Sequence, residues 1–107
     1  MSVAETIYSQ WYDSLYDAKL KENIVPLTGA LHNLGSISGV SYTWKSSGEA
    51  SIGVIAQEVQ AVYPELVTEG GESLSVNYNG LIGVLIESVK ELSAKVEDLQ
   101  RQLDAKW

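Results

Sequence analysis

The chain of 107 residues contains no cysteine and no phenylalanine, and only one histidine, two prolines and one methionine. Without cysteine there is no disulfide framework and no thiolate chemistry or thiolate metal site. Basic residues are also scarce: seven lysines and arginines against fourteen aspartates and glutamates give a formal net charge of −7. A nucleic-acid backbone or an anionic membrane requires a basic face. We therefore expect no nucleic-acid partner, no membrane partner, and no metal or other cofactor.

Long apolar runs are absent as well. The first residues, MSVAETIYSQW, lack the basic region followed by an apolar run that marks a signal peptide. The longest apolar stretch, around residues 81–86, is far too short to span a bilayer. Apolar residues make up 45% of the chain and charged residues 20%, which is ordinary for one soluble domain with a modest core.

The region before residue 77 alternates short helix and strand patterns. Apolar residues spaced by four predict a helix, or alternatively an extended docked arm, over residues 2–15. Pro26 precedes apolar residues at helical spacing, which predicts a short amphipathic helix with proline in its first turn and a stop at Gly35. A further helix is predicted from residue 56 to 63, because Pro64 ends the pattern.

Two β-hairpins are predicted on either side of that helix. Residues 39–45 alternate apolar and polar side chains, and the turn sequence Ser-Ser-Gly-Glu separates them from an apolar strand at 51–55. Residues 66–68 and 73–76 flank the sequence Glu-Gly-Gly-Glu, which is typical of a tight turn. These elements predict a small mixed body of the α+β class.

The last third of the chain carries the clearest pattern, a heptad repeat on a long helix that Asn77 or Asn79 caps. A helix over residues 81–106 would be roughly 39 Å long, longer than the small body can cover. One long core helix is the alternative, but this length favours a parallel coiled coil of identical chains. The apolar seam has Ile82, Val89, Val96 and Leu103 at position a and Leu85, Leu92 and Leu99 at position d.

The repeat does not specify the number of chains. β-Branched residues at a with leucine at d favour dimers. The positions beside the seam are mostly uncharged, so they provide no strong charge code for a two-stranded pair. The heptads therefore predict an oligomer and leave its size open.

Four segments, in this order and spacing, resemble a known family. They are DAKLKENI (17–24), GVSYTW (39–44), GVIAQEV (53–59) with PELV (64–67), and VNYNGL (76–81) leading into VKEL (89–92). Together they resemble the C-terminal intramolecular chaperone, auto-processing domain of phage endosialidases, tailspikes, tail fibres and neck appendages. The resemblance covers about residues 16–103.

The resemblance implies a domain that trimerises through a C-terminal helical coil and assists the folding of the β-rich fibre ahead of it. It also implies self-cleavage before a serine that lies five positions ahead of a lysine. A serine hydroxyl is a weak nucleophile until a neighbouring base takes its proton. A lysine acts as that base only when burial lowers its pKa.

The present chain departs from the family at the nucleophile. Lys21 matches the family lysine, but Tyr16 stands at the serine position. A phenol oxygen lies several ångströms further from the backbone than a serine hydroxyl, so we expect self-cleavage to be lost. Ser14 and Lys19 repeat the five-residue spacing in a shifted register. The alternative is therefore self-cleavage that uses a different serine.

Other residues have weaker implications. Gln57 and Glu58 match a family signature and are candidates for contacts between subunits or with the fibre. Capping of a helix start is the alternative for both. Trp11 is a further candidate for such a contact. Tyr42 and Trp44 are interpreted as core or interface residues, and His32 as a surface or core histidine. Glu69 and Glu72 alone make a poor calcium signature.

These observations predict an α+β chain in which residues 1–15 form an arm or linker to a fibre, 16–79 the chaperone body and 80–107 the coiled-coil helix. The predicted partners are two further copies and an upstream fibre or tailspike segment. The predicted function is a non-cleaving chaperone and trimerisation domain, in the host cytoplasm during assembly or on the virion if it is retained. The alternatives are an active serine–lysine endopeptidase and a fibre tip that binds host or virion proteins.

Overall fold

A computed structural model describes residues 16–106, so the predicted helix or arm over residues 2–15 lies outside the described range. Short elements precede one long helix, which confirms the predicted α+β class. In chain order they are a 3₁₀ turn (Ala18–Leu20), α1 (Ala30–Leu34), β1 (Val40–Thr43), β2 (Ala50–Gly53), α2 (Ala56–Val62), a second 3₁₀ turn (Pro64–Leu66), β3 (Val67–Gly70), β4 (Ser73–Val76) and α3 (Tyr78–Ala105).

Both predicted hairpins are confirmed, although the strands of the first are shorter than the sequence pattern indicates. Strand β1 pairs antiparallel with β2, and β3 pairs with β4, as two separate two-stranded sheets. Between Gly70 and Ser73 the second hairpin turns through two residues, and Gly71 has a positive φ of 71° there. This backbone conformation is the one that tight hairpin turns require and that glycine adopts without strain.

The short helix after Pro26 is present, but its predicted start is wrong. Helix α1 begins at Ala30 and ends at Gly35, so Pro26 lies before the helix and not in its first turn. Gly29 precedes the helix in the left-handed region, with a φ of 68°, and this reverses the chain between the extended proline segment and α1. Helix α2 has its predicted position, and Pro64 starts the 3₁₀ turn that follows it.

The core lies where the start of α3 meets the two short helices. Ala30 of α1, Val59 of α2 and Tyr63 are buried together with Leu81 and Val84 of α3. A side chain at Gly80 would overlap Leu66, so the first turn of α3 approaches the second 3₁₀ turn as closely as the backbone allows.

Asn77 fixes the point where α3 begins. Its side-chain oxygen accepts a hydrogen bond from the backbone N–H of Gly80 at 3.2 Å, and its own N–H donates to the carbonyl of Leu66 at 2.8 Å. Of the two asparagines that the sequence offered as caps, Asn77 is therefore the one used. The first bond satisfies a free donor of the helix end, and the second ties that end to the body.

Glu91 of α3 supplies the cap that α1 lacks in its own sequence. Its carboxylate accepts from the backbone N–H of Leu31 at 2.7 Å and from that of Ala30 at 3.2 Å. The hydrogen bond from Leu31 is the main cause that lowers the pKa of Glu91. The N–H groups of Ala30 and Gly29 and the charge of Lys95 lower it further, whereas partial desolvation raises it. This contact joins two helices that are about sixty residues apart in the sequence.

Replacing Glu91 with glutamine should reduce the loss of stability on acidification. A lowered pKa means that ionised Glu91 stabilises the fold above the ordinary carboxyl pKa of 4.5, and that this contribution is lost as the pH falls through the lower folded value. We expect the unfolding temperature of the native chain to fall more steeply below pH 4.5 than that of Glu91→Gln, measured by circular dichroism at one protein concentration.

Glu97 offers the matched control on the same helix. Its carboxylate makes no hydrogen bond or ion pair with the residues that the structure describes. Glu97→Gln should keep the native acid profile. An unchanged profile for Glu91→Gln would show that the bonds to α1 do not contribute to stability.

Candidate functional site

Helix α3 presents two different faces, and only one of them contacts the body. Leu81, Val84 and Ser88 are buried, and Glu91 follows them with its bonds to α1. In the heptad frame these residues alternate between positions g and c. The body therefore covers the c and g side of the helix, and its cover ends at Glu91.

The other face carries the predicted seam, which is open along its whole length. All seven a and d residues, from Ile82 to Leu103, are between 48% and 63% exposed. The alternative of a single core helix is therefore wrong for the isolated chain, because the body buries the neighbouring c and g side and leaves the seam open. Apolar surface of this extent is typical of an interface between proteins.

The Tyr16–Lys21 segment brings together the two positions to which the resemblance assigns self-cleavage. Asp17 caps the first 3₁₀ turn by accepting from the N–H of Lys19 at 2.9 Å, and Leu20 donates to the Asp17 carbonyl at 3.1 Å. Because the chain closes one tight turn between them, residues five apart meet. The ammonium of Lys21 lies 4.6 Å from the centre of the Tyr16 ring.

This arrangement holds a cation over an aromatic ring. Such a contact contributes roughly 0.5–1 kcal/mol at an exposed site. Tyr16 and Lys21 are both exposed in the single chain, so Lys21 lacks the burial that a general-base lysine requires. Ser14, the partner in the shifted register, lies outside the described residues, and Lys19 is exposed on the turn.

Gln57 and Glu58 lie at the start of α2 and point to different neighbours. The Glu58 carboxylate accepts from the backbone N–H of Ser38 at 2.9 Å and thereby holds the loop between α1 and β1. Gln57 is exposed and faces the β3–β4 turn across a shallow polar cleft. Trp11, the third predicted contact residue, lies outside the described residues.

The aromatic pair of the first hairpin is only partly in the core. Tyr42 is half-buried and meets Trp44 edge to face, with ring centres 5.1 Å apart. Trp44 itself is 53% exposed, so the core interpretation is wrong for this residue, and interface packing stays a prediction. With Ile55 and Tyr78 it lines an open apolar cleft.

The remaining sequence candidates do not form a site. His32 is exposed on α1, and the Glu69 carboxylate accepts from the Gln60 amide at 2.8 Å. Among residues 16–106 no group of three histidine, aspartate or glutamate side chains is arranged to hold a metal ion. No helix in the same range is long and apolar enough to cross a membrane.

Two functional features escaped the sequence patterns. Glu91 is one acidic residue among several on α3, and nothing local marks it as the cap of a distant helix. Residues 24–27, which the sequence assigned to a helix start, instead line a cleft against α3. The signal for the second feature was Gly29, since a glycine there permits the chain reversal that separates this segment from α1.

Comparison with known proteins gives one family and a set of phage relatives. Residues 17–68 match the model of the family described as chaperone of endosialidase. The chain is 37% identical over 97 residues to the long tail fiber protein Gp37 of Enterobacteria phage K3, which covers 81% of this chain and 8% of that protein. It is 28% identical over 109 residues to Gp37 of Salmonella phage S16, which covers 91% of this chain and 15% of that protein.

The chain therefore spans a small part of the length of these relatives. The family match begins at Asp17, one residue after Tyr16, and runs through the first hairpin and α2 to Thr68 in β3. It contains the first three of the four segments on which the resemblance was based. The resemblance is confirmed for residues 17–68, which match the model of the chaperone of endosialidase family.

Proposed function

We propose that this chain is an intramolecular chaperone and trimerisation segment of a phage tail fibre that does not cut itself. The observation that carries the proposal is the division of α3 into a buried c and g face and an open apolar a and d seam. The family match and the Gp37 relatives support the chaperone role and the fibre as its client. That the oligomer contains three copies rests on the family resemblance.

The loss of cleavage rests on the Tyr16–Lys21 contact. A tyrosine at the serine position is a poor acyl acceptor for the peptide bond that precedes it. In the single chain the Lys21 ammonium lies over the Tyr16 ring, 4.6 Å from its centre. The positions of the family dyad are thus retained in space while their chemistry is lost.

The chaperone mechanism is the raising of local concentration. Joining three copies through α3 converts the meeting of three fibre strands into an intramolecular event. The body consists of short hairpins and helices with local contacts, which fold quickly, whereas an intertwined β-rich fibre folds slowly and is prone to aggregate. The domain then assembles first and holds the fibre ends in register.

The proposal assigns residues 1–15 to an arm or linker to the fibre, 16–79 to the body and 80–107 to the coil, with the first turns of α3 shared between body and coil. Assembly takes place in the host cytoplasm. Without cleavage the domain stays on the virion tail fibre. A fibre tip that binds host or virion proteins is then the second candidate, which the exposed Trp44 cleft favours.

The isolated chain should be a trimer. Light scattering coupled to size-exclusion chromatography should give three times the chain mass of 11.7 kDa. Leu92→Asp should dissociate the assembly, because the seam would bury an unpaired charge. Ala94→Asp is the matched control, since Ala94 is exposed on α3 outside the seam and should leave the mass unchanged. A monomer or dimer at micromolar concentration for the native chain would contradict the proposal.

The purified chain should keep its full mass during long incubation at neutral to mildly alkaline pH, as measured by mass spectrometry. Tyr16→Ser should restore a nucleophile and allow cleavage before residue 16 when a fibre segment is fused upstream. The double variant Tyr16→Ser with Lys21→Met should remain intact, because the base is removed. A fragment of the native chain that starts at residue 16 would show that the unaltered site is active.

A fusion of the chain behind an aggregation-prone trimeric β-fibre should give more soluble, detergent-resistant trimer than the fibre alone. The gain should be lost on deletion of residues 81–107, and also with Leu92→Asp, which changes only one seam residue. Yield is measured by gel electrophoresis without boiling. If both altered fusions fold as well as the intact one, the domain does not act through α3, and the fibre-tip function is the better explanation.

A further inference from the structure

The seam of α3 continues sideways into a second apolar surface. Ile86 occupies heptad position e, directly beside Ile82 and Val89 of the seam, and is 54% exposed. Residues 22–28, a segment that we call the strap, lie beside Ile86. The strap and the residues around Gly83, Ile86 and Lys90 enclose an open cleft of about 390 Å³.

The strap is unusually open for a segment with its composition. Ile24, Val25 and Leu27 are between 41% and 77% exposed. The backbone of residues 22–28 makes no hydrogen bond with any other residue that the structure describes. Within the described range, the strap is therefore a segment outside helix and strand whose apolar side chains the single chain leaves exposed.

The position of the body on α3 indicates what lies opposite the strap. In a parallel coiled coil, position e of one helix faces position g of the next helix. The g positions Leu81 and Ser88 are buried under the body of their own copy, with α1 held there by Glu91. A neighbouring copy that joins the seam therefore brings its own body, around α1, to the e side where Ile86 and the strap are exposed.

We propose that the strap and Ile86 of each copy pack against the body of the next copy, around its α1. The proposal rests on the proposed function, because it needs the seam to join parallel copies. The contact is heterologous, since the strap side of one copy meets the α1 side of the next, and such contacts generate a closed ring when the rotation closes. The assembly then has an outer ring of contacts in addition to the central coil.

Continuity selects a second copy as the occupant of this surface. The exposed apolar side chains run without interruption from Ile82 and Val89 of the seam, over Ile86, to Ile24 and Val25 of the strap. A partner that occupies the seam is therefore expected to contact the strap as well. Ile52 of β2 is even more exposed, at 81%, but lies outside this continuous surface and should stay open in the assembly.

Single engineered cysteines test the contact, because the chain has no cysteine of its own. Val25→Cys probes the strap, Ile52→Cys is the matched exposed control, and Val89→Cys reports the seam. Each is made in the full chain with and without Leu92→Asp, and the rate of alkylation by iodoacetamide is measured. Since thiol reactivity depends on access, we expect Val25→Cys to react at least about tenfold more slowly in the assembly than in the Leu92→Asp background. Ile52→Cys should react equally fast in both.

The controls separate the two proposals. If Val89→Cys is protected and Val25→Cys reacts as fast as Ile52→Cys, the coil forms and the outer ring does not exist. If Val89→Cys is also unprotected and the chain is a monomer, the proposed function fails and the ring fails with it. Protection of Val25→Cys that persists with Leu92→Asp would show that the chain's own residues cover the strap, which also overturns the inference.

A second measurement does not depend on thiol chemistry. Val25→Glu and Ile52→Glu each place a carboxylate on a side chain that is exposed in the single chain. Only Val25→Glu should weaken the assembly, because burial of an unpaired charge is costly. We expect the concentration at which the trimer dissociates on dilution to rise for Val25→Glu and to stay at the native value for Ile52→Glu. Equal behaviour of the two variants would contradict the outer ring.

Discussion

The packing of the first half of α3 on α1 and α2 is the contact on which the rest of the structure depends. Each hairpin is an isolated pair of short strands, and such a pair is marginally stable in water on its own. In the described residues the buried apolar core consists of five side chains, of which Leu81 and Val84 come from α3. The start of α3 therefore completes the core that it shares with Ala30 of α1, Val59 of α2 and Tyr63.

The same helix then has two successive roles along its length. Up to Glu91 it is held by the body, so this half of the seam is stabilised as a helix within the single chain. Beyond Glu91 the side chains of α3 are exposed up to Lys106, and a helical segment of about fifteen residues without partners is marginal in water. In the proposed assembly, folding of the body would thus present a preformed start of the seam, from which the coil would extend.

Most of this arrangement was predictable from the sequence, because its signals are local. Heptad spacing predicted α3 and its seam, and glycine-containing turns predicted both hairpins. The role of Glu91 was not predictable, because it depends on a bond between residues 60 positions apart. The start of α1 was placed too early because Pro26, and not Gly29, was taken as its boundary. The exposure of Trp44 was missed for a related reason: alternation in a strand indicates which side chains share a face, but not whether another element covers that face.

The close approach of Gly80 to Leu66 means that a small change at the base of α3 would move its far end by a larger distance. The helix has 28 residues, and Gly80 lies in its first turn, where the body grips it. A helix of this length is about 42 Å long, so a tilt of about 5° at the grip would displace its far end by about 4 Å. If a larger side chain at position 80 tilted the helix, the displacement would be greatest near Leu99 and Leu103, which are far from the substitution. The lack of a side chain at position 80 thus allows the base of α3 to lie directly against Leu66.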